Sequence, residues 1–288
     1  MDSIQRFYLF LNPIYSVENL IIPKVEIFAN YDLTVRERTM ISKGKFAELT
    51  AYCFPSSIDK KMFELLYHYV TWLFLFDDYL DHNEYNVDTM IEQIKSKKHV
   101  DKYGKMIIDI ILKLPSNCSQ FIQSIIDYLH GITLPKNKEN MDEYLERRMY
   151  DSAVYTFFHL SQLLNDDTDD EKEEEEEKEK EEEVKYNDII FKKINVIISL
   201  VNDVFSYEKE KEIVNHTSAV KILIKKHYTF GEAVEIIHQM VMEEFTDLQK
   251  MCVKPLISNI LDGITLWTFE SQRYKSPTSP FIELRTTN

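Results

Sequence analysis

The sequence predicts an all-α protein folded as a single helical bundle over residues 1–288. Glycine and proline are scarce, with 5 and 8 residues, whereas β-sandwiches, barrels and propellers need a turn every few residues. Apolar residues recur at helical spacing along most of the chain, and no segment of useful length alternates as a strand does. With 44% hydrophobic residues, the chain can bury a sizeable core.

The first long helix begins near Thr34 and continues to Tyr52, ahead of Pro55. A second helix follows this proline and ends at Asp81. Its C-terminal half has apolar residues on all sides, so we expect it to be buried in the bundle. The remaining predicted helices span residues 87–113, 116–130, 139–164, 185–213, 216–226, 229–250 and 254–275.

Two segments lie outside this helical pattern. Residues 1–35 mix apolar residues with Asn and Pro, and we interpret them as an irregular N-terminal strap. Residues 166–183 hold 14 acids and 3 lysines, so they supply −11 of the net charge of −15. Because so dense an acidic block repels itself, we interpret residues 166–184 as a solvated low-complexity loop inserted between two helices.

Composition also limits the partners and the compartment. Outside the acidic block the chain carries −15 + 11 = −4, which disfavours a nucleic-acid-binding surface. The three cysteines are far apart, which disfavours structural zinc and a disulfide framework. The N-terminus makes a poor signal peptide, and no run of about 18 apolar residues predicts a membrane span. We therefore expect a cytoplasmic protein.

The first motif that carries chemistry is Asp77-Asp78-Tyr79-Leu80-Asp81. Asp77 and Asp81 are four residues apart, so a helix places both carboxylates on one face, where they repel unless a cation lies between them. They follow the apolar run 72–76, and acids at the end of a buried helix are costly to leave unpaired. Mg²⁺ takes one or two such carboxylates together with phosphate oxygens and water. The alternative is a solvated helix C-terminus.

The second motif is the stripe formed by Asn202, Ser206 and Glu210, which recur every four residues after the apolar run 194–201. An amide oxygen, a hydroxyl and a carboxylate make a mixed set of hard ligands with low total charge. Lys209 lies beside the stripe and is placed to meet an anion. The alternative is a capped, exposed helix end.

Together the two stripes resemble class I terpene synthases of the microbial single-domain type. The segment YCFPSSIDKKMFELLYHYVTWLFLFDDYLD (52–81) and the second motif NDVFSYEKE carry the resemblance, which extends over roughly residues 10–275. It implies that the two motifs hold three Mg²⁺ ions, with Mn²⁺ as an alternative, against the diphosphate of a prenyl substrate. The metal ligands would be Asp77, Asp81, Asn202, Ser206 and Glu210.

The segment EYLERRMYDSA (143–153) is similar to the arginine segment of that family. By position, Arg148 would sense the diphosphate, Asp151 would be the linker, and Ser152 would be the effector at a helix break. Arginine suits the first role because its guanidinium is always charged and forks onto phosphate oxygens. The family often has Gly where Ser152 stands. The alternative, a surface arginine on an amphipathic helix, fits Arg147 better than Arg148.

The resemblance extends to the C-terminus and to the aromatic residues. Arg273 and Tyr274 match a closing Arg-Tyr pair that contacts the diphosphate, with Asp78 as the expected partner of Arg273. Aromatic faces stabilise a carbocation without offering a nucleophile. Candidates for the pocket wall, most of which have a plain core role as the alternative, are Trp72, Phe74, Phe76, Tyr155, Phe158 and Trp267.

The resemblance implies metal-dependent ionisation of farnesyl diphosphate and cyclisation to a sesquiterpene, by a monomer or homodimer. A diterpene synthase acting on geranylgeranyl diphosphate is an alternative. A prenyl diphosphate synthase is another, although such enzymes normally carry two Asp-rich motifs. Outside enzymes, a helical interaction protein with the acidic block as its contact is the remaining alternative.

Overall fold

A computed structural model describes residues 6–7, 27–54, 59–134, 140–163, 176–213, 216–251, 253 and 255–271. Within these ranges the regular elements are helices, and no strand is present. One short 3₁₀-helix spans Ile27–Asn30. The α-helices of the described ranges are α1 (Val35–Gly44), α2 (Phe46–Cys53), α3 (Lys60–Leu80), α4 (Val87–Ser96), α5 (Lys102–Ile111), α6 (Ser119–Ile132), α7 (Met141–Asp151), α8 (Val154–Leu163), α9 (Glu176–Glu210), α10 (Ala219–Lys225), α11 (Phe230–Gln249) and α12 (Pro255–Glu270).

Three of the predicted helices are each divided in two. Lys45 (φ 51°) separates α1 from α2, Lys97 (φ 53°) ends α4, and Ala153 (φ 61°) lies between α7 and α8. A residue in the left-handed region ends a helix, and it is usually Gly or Asn. None of these three residues is Gly or Asn, and the apolar face continues past each break. The periodicity of the sequence therefore did not reveal them.

The acidic segment corrects one boundary. α9 begins at Glu176 rather than at residue 185, so the backbone of residues 176–184 is helical and not a loop. Glu and Lys have high intrinsic helix propensity, and the segment runs directly into the apolar part of α9. Residues 166–175 of the predicted loop lie outside the described residues.

The core surrounds α3. Trp72 and Phe76 on this helix are fully buried, with stacked rings 5.5 Å apart. α12 packs closely along α2, and a Cβ added at Gly263 would lie 2.7 Å from the backbone nitrogen of Cys53. α9 packs against α11 on another side. These packings leave the C-terminal ends of α3, α7 and α9 around one cavity.

Part of the predicted N-terminal strap (1–35) lies within the described residues. The Phe7 ring is fully buried, 6.5 Å from the ring of Phe205 and 5.7 Å from that of His238. Arg6 donates to Glu235 at 2.7 Å. This segment therefore packs on α9 and α11. In the described part of the chain, every helix is too short or too polar to cross a bilayer.

A buried carboxylate ties α1 to α5. Glu37 is 7% exposed and accepts hydrogen bonds from Lys102 at 2.7 Å and from the Tyr103 hydroxyl at 2.6 Å. It also closes the capping box of α1 through the backbone nitrogen of Thr34. Burial alone would raise the pKa of Glu37, but these hydrogen bonds outweigh it and lower the pKa to about 2.

Replacing Glu37 tests this connection. Because its pKa is lower in the folded than in the unfolded chain, Glu37 stabilises the fold above about pH 4.5, and this contribution is lost as the pH falls towards 2. We expect Glu37→Gln to lower the free energy of unfolding by about 2 kcal/mol at pH 7. In urea titrations the difference from wild type should shrink below pH 4.

The matched control is Glu64→Gln, which removes a more exposed carboxylate 3.7 Å from Lys60. Such surface pairs contribute about 0–1 kcal/mol. A Glu37→Gln difference that stays the same from pH 7 to pH 3 would contradict the assignment.

Candidate active site

A cavity lies between α3, α7, α9 and α12. Its described wall includes seven of the site residues predicted from the sequence, namely Asp77, Asp81, Arg148, Asp151, Ser152, Asn202 and Glu210. Apolar residues of the wall come from the preceding turns of the same helices, such as Leu73 and Ile198, and from α12. The cavity therefore combines a polar part, at the C-terminal ends of three helices, with an apolar part.

The second motif forms the expected stripe on α9. Ser206 is fully buried, and its hydroxyl donates to Oε2 of Glu210 at 2.7 Å. Nε2 of His216, in the loop after α9, lies 3.3 Å from the same oxygen. Asn202 and Glu210 line the cavity, whereas Ser206 lies behind them. Lys209 is exposed and is not among the wall residues.

Arg148 is held by the carboxylate of Asp151. Its Nη1 donates to Oδ1 of Asp151 at 2.9 Å, and Arg147 pairs with Oδ2 of the same side chain. Burial opposes the charge of Arg148, but Tyr144, Asp151 and Asp203 raise the pKa of its guanidinium above the usual value. Arg148 therefore stays cationic at the cavity wall.

The interpretation of Arg147 as a surface residue is wrong. Arg147 is only 7% exposed, and its guanidinium lies 5.3 Å from the centre of the Tyr144 ring. The i,i+4 spacing to Asp151 was visible in the sequence. It did not show that α6 and α9 pack on both sides of this helix.

A second buried carboxylate, Asp203, was part of the motif but had no assigned role. Its Oδ2 accepts from the Tyr144 hydroxyl at 2.5 Å and from the backbone nitrogen of Ala219 at 2.7 Å. Burial raises the pKa of Asp203 to about 6, against the opposing effects of Arg148 and these hydrogen bonds. Asp203 therefore joins α7 and α10 to α9.

Ser152 lies at the predicted helix break. Its φ is −83°, an ordinary right-handed value, and the left-handed residue is the next one, Ala153. Position 152 therefore does not need glycine. The Ser152 hydroxyl donates to Oδ1 of Asn195 on α9 at 2.8 Å and accepts from the backbone nitrogen of Val154 at 3.3 Å. Sequence reasoning missed Asn195, although a polar residue inside the apolar run 194–201 was a signal.

Asp78 has a partner on α1 that the sequence did not predict. Its carboxylate pairs with Arg36 of α1 at 2.9 Å. The same Arg36 nitrogen lies 3.1 Å from Nε2 of His82. Arg273 and Tyr274 lie outside the described residues, so their predicted contacts stay predictions.

The aromatic candidates divide between the cavity and the core. Phe74 and Trp267 line the cavity, with ring centres 5.0 Å apart. Trp72, Phe76 and Phe158 are buried in the core, and Tyr155 lines a separate cavity beside α9. Sequence reasoning missed Phe157, Tyr128 and Tyr144, which also line the main cavity.

The donor set of the cavity fits divalent cations. Among the described residues its wall carries one arginine against five carboxylates, which are Asp77, Asp81, Asp151, Asp203 and Glu210. Oxygen donors of this kind suit Mg²⁺ and Mn²⁺. Among the described residues, no three His, Cys, Asp or Glu side chains converge into a preformed metal site. An ion bound here would therefore complete its coordination with other oxygens, such as those of a phosphate.

Comparisons with known proteins agree on one family. The family model for terpene synthase family 2, C-terminal metal binding, matches residues 68–247. Terpene synthase 1 of Dictyostelium purpureum is 24% identical and aligns over 86% of this chain and 76% of its own. 10-epi-cubebol synthase of Sorangium cellulosum (strain So ce56) is 21% identical, over 80% of this chain and 81% of its own.

The fold is also similar to that of a solved terpene synthase structure. The crystal structure of linalool/nerolidol synthase from Streptomyces clavuligerus, in complex with 2-fluorogeranyl diphosphate, superposes with a TM-score of 0.66. The match covers 82% of this chain and 92% of that chain at 16% identity. The predicted all-α bundle is thus confirmed.

The link between Tyr144 and Asp203 gives a prediction about stability. Tyr144→Phe removes a donor from a buried carboxylate, so we expect the free energy of unfolding to fall by about 1–3 kcal/mol. Chemical denaturation measures this loss. The control, Tyr228→Phe at an exposed tyrosine, should change it by no more than about 0.5 kcal/mol. Equal values for the two variants would show that the buried hydrogen bond contributes nothing.

Proposed function

The chain belongs to the terpene synthase family, whose members are lyases acting on prenyl diphosphates, and we propose that it converts farnesyl diphosphate to a cyclic sesquiterpene. The observation that carries the proposal is the meeting of both motifs and Arg148 at one cavity. The structural relative with bound 2-fluorogeranyl diphosphate supports a prenyl diphosphate ligand. Farnesyl diphosphate is chosen because it is the substrate that the family resemblance favours.

Asp77, Asp81, Asn202, Ser206 and Glu210 would hold the metal. Mg²⁺, three ions by family resemblance, or Mn²⁺ would supply positive charge that stabilises the departing diphosphate. The described cavity wall cannot do this alone, because its carboxylates are negative and Arg148 is its one arginine.

Arg148 would donate hydrogen bonds to the diphosphate while Asp151 holds its guanidinium in place. The bond between C1 of the substrate and the diphosphate oxygen breaks, and its electron pair leaves with the diphosphate. Lys209, Arg273 and Tyr274 are proposed as further diphosphate contacts, with Asp78 supporting the Asp-rich motif from behind. Ser152 is proposed to couple the bound diphosphate to the helix break.

The apolar part of the cavity would then direct the allylic cation. Phe74, Phe157 and Trp267 offer aromatic faces that stabilise positive charge. The indole nitrogen of Trp267 donates to the Gly44 carbonyl at 2.7 Å, which fixes its ring. The cation closes by bonding to a distal double bond, and loss of a proton, with the released diphosphate as the proposed base, ends the reaction. Exclusion of water prevents early quenching.

Product analysis tests the proposal directly. Purified protein with Mg²⁺ is given geranyl, farnesyl or geranylgeranyl diphosphate, and the organic extract is examined by gas chromatography–mass spectrometry. We expect a sesquiterpene from farnesyl diphosphate that is absent with EDTA. A product from geranylgeranyl diphosphate alone would make the enzyme a diterpene synthase. Formation of longer prenyl chains after addition of isopentenyl diphosphate would show that the enzyme is a prenyl diphosphate synthase and not a cyclase.

Substitutions of the two motifs test the site. Asp77→Asn and Asn202→Ala should each lower turnover by about 100-fold or more, because each weakens or removes a ligand of the metal that stabilises the departing diphosphate. Helical circular dichroism should stay as in wild type. The matched control is Asp127→Asn, an exposed carboxylate on α6, which should retain wild-type turnover. Full activity in either motif variant would overturn the metal assignment.

A further inference from the structure

A single buried amide connects α9 to the end of α7. Asn195 is fully buried, and its Nδ2 donates to the backbone carbonyl of Arg148 at 3.1 Å and lies 3.3 Å from Sδ of Met149. Its Oδ1 accepts from the hydroxyls of Ser152 at 2.8 Å and Ser199 at 3.1 Å. An amide has two donors and two acceptor lone pairs, so the hydrogen-bonding capacity of Asn195 is filled.

Asn195 contacts the C-terminal end of α7, where backbone carbonyls lack donors within the helix. Its Nδ2 supplies such a donor to the Arg148 carbonyl. The next residues turn sharply, with Ala153 in the left-handed region at φ 61°. A non-glycine residue in this region costs about 1–2 kcal/mol. The bond from Ser152 to Asn195 helps to offset this cost, so the shape of the break depends on α9.

The position of Asn195 on α9 relates the two halves of the site. Asn195 precedes Asn202 by seven residues, about two helical turns or 10 Å, and the helix between them is continuous. One rigid helix therefore holds Asn202 and Glu210 at the cavity and, through Asn195, fixes the backbone from which Arg148 extends.

We propose that Asn195 is a positioning residue, which sets the place of Arg148 and Ser152 relative to Asn202 and Glu210. This inference rests on the proposed function in one respect only, namely that the ligand gathered by these groups is a diphosphate. Without the amide, α7 is still joined to α9 through Tyr144 and Asp203, but its C-terminal end loses its hydrogen bonds to Asn195. The distance between Arg148 and the oxygen ligands on α9 is then less firmly fixed.

The test compares Asn195→Ala with wild type by two measurements that do not depend on turnover. The first is hydrogen exchange of the backbone amides of residues 148–154 in the protein without ligand. The second is the affinity for inorganic pyrophosphate with Mg²⁺, followed by the rise in melting temperature. We expect exchange to become about tenfold faster and the affinity to fall about tenfold or more.

The matched control is Asn140→Ala, which removes the cap at the other end of the same helix. It should lower the melting temperature without changing exchange at residues 148–154 or the pyrophosphate affinity. If Asn195→Ala does not fold, Ser152→Ala removes one arm of the same link, and its faster exchange should be confined to residues 152–154. Wild-type exchange and affinity in Asn195→Ala, or changes equal to those of Asn140→Ala, would overturn the proposal.

The two proposals fail in different ways. A wild-type protein that neither binds pyrophosphate nor turns over any prenyl diphosphate would contradict the proposed function. The exchange measurement would still decide the role of Asn195, since it needs no ligand.

Discussion

Repulsion between carboxylates that end buried helices is the constraint around which this cavity is arranged. Asp77 and Asp81 end α3, and Glu210 ends α9, each after an apolar stretch that packs in the core. Asp151 and Asp203 add two more acids, held by arginine and by a tyrosine hydroxyl. One cavity that gathers so many oxygens suits a ligand that brings cations with it, and a metal diphosphate is such a ligand.

The C-terminal ends of α3 and α9 carry polar side chains, whereas the preceding turns of both helices carry buried apolar ones. Packing of the apolar turns in the core therefore also places the polar ends at the cavity. The break between α7 and α8 is also held by α9. Asn195 donates to the Arg148 carbonyl, which lies in the last turn of α7, and accepts from the Ser152 hydroxyl. Under the proposed function, the stability of this break and the binding of the ligand would depend on the same residues.

The scarcity of Gly and Pro and the helical periodicity of the chain were enough to predict the all-α fold, and the spacing of polar residues along single helices predicted the two stripes. This spacing could not predict partners that come from other helices. Tyr144 meets Asp203, Asn195 meets Arg148, and Asp78 meets Arg36 only because distant segments pack together. The same reason separates Phe74, which faces the cavity, from Phe76, which lies in the core, although both belong to one apolar run.

A crystal structure grown with Mn²⁺ and inorganic pyrophosphate would test the account most directly. Anomalous scattering locates Mn²⁺ independently of the protein atoms. We expect Mn²⁺ peaks between the Asp77 end of α3 and the Asn202–Glu210 end of α9, with pyrophosphate within hydrogen-bonding distance of Arg148. Mn²⁺ bound elsewhere, or pyrophosphate bound away from Arg148, would contradict the account.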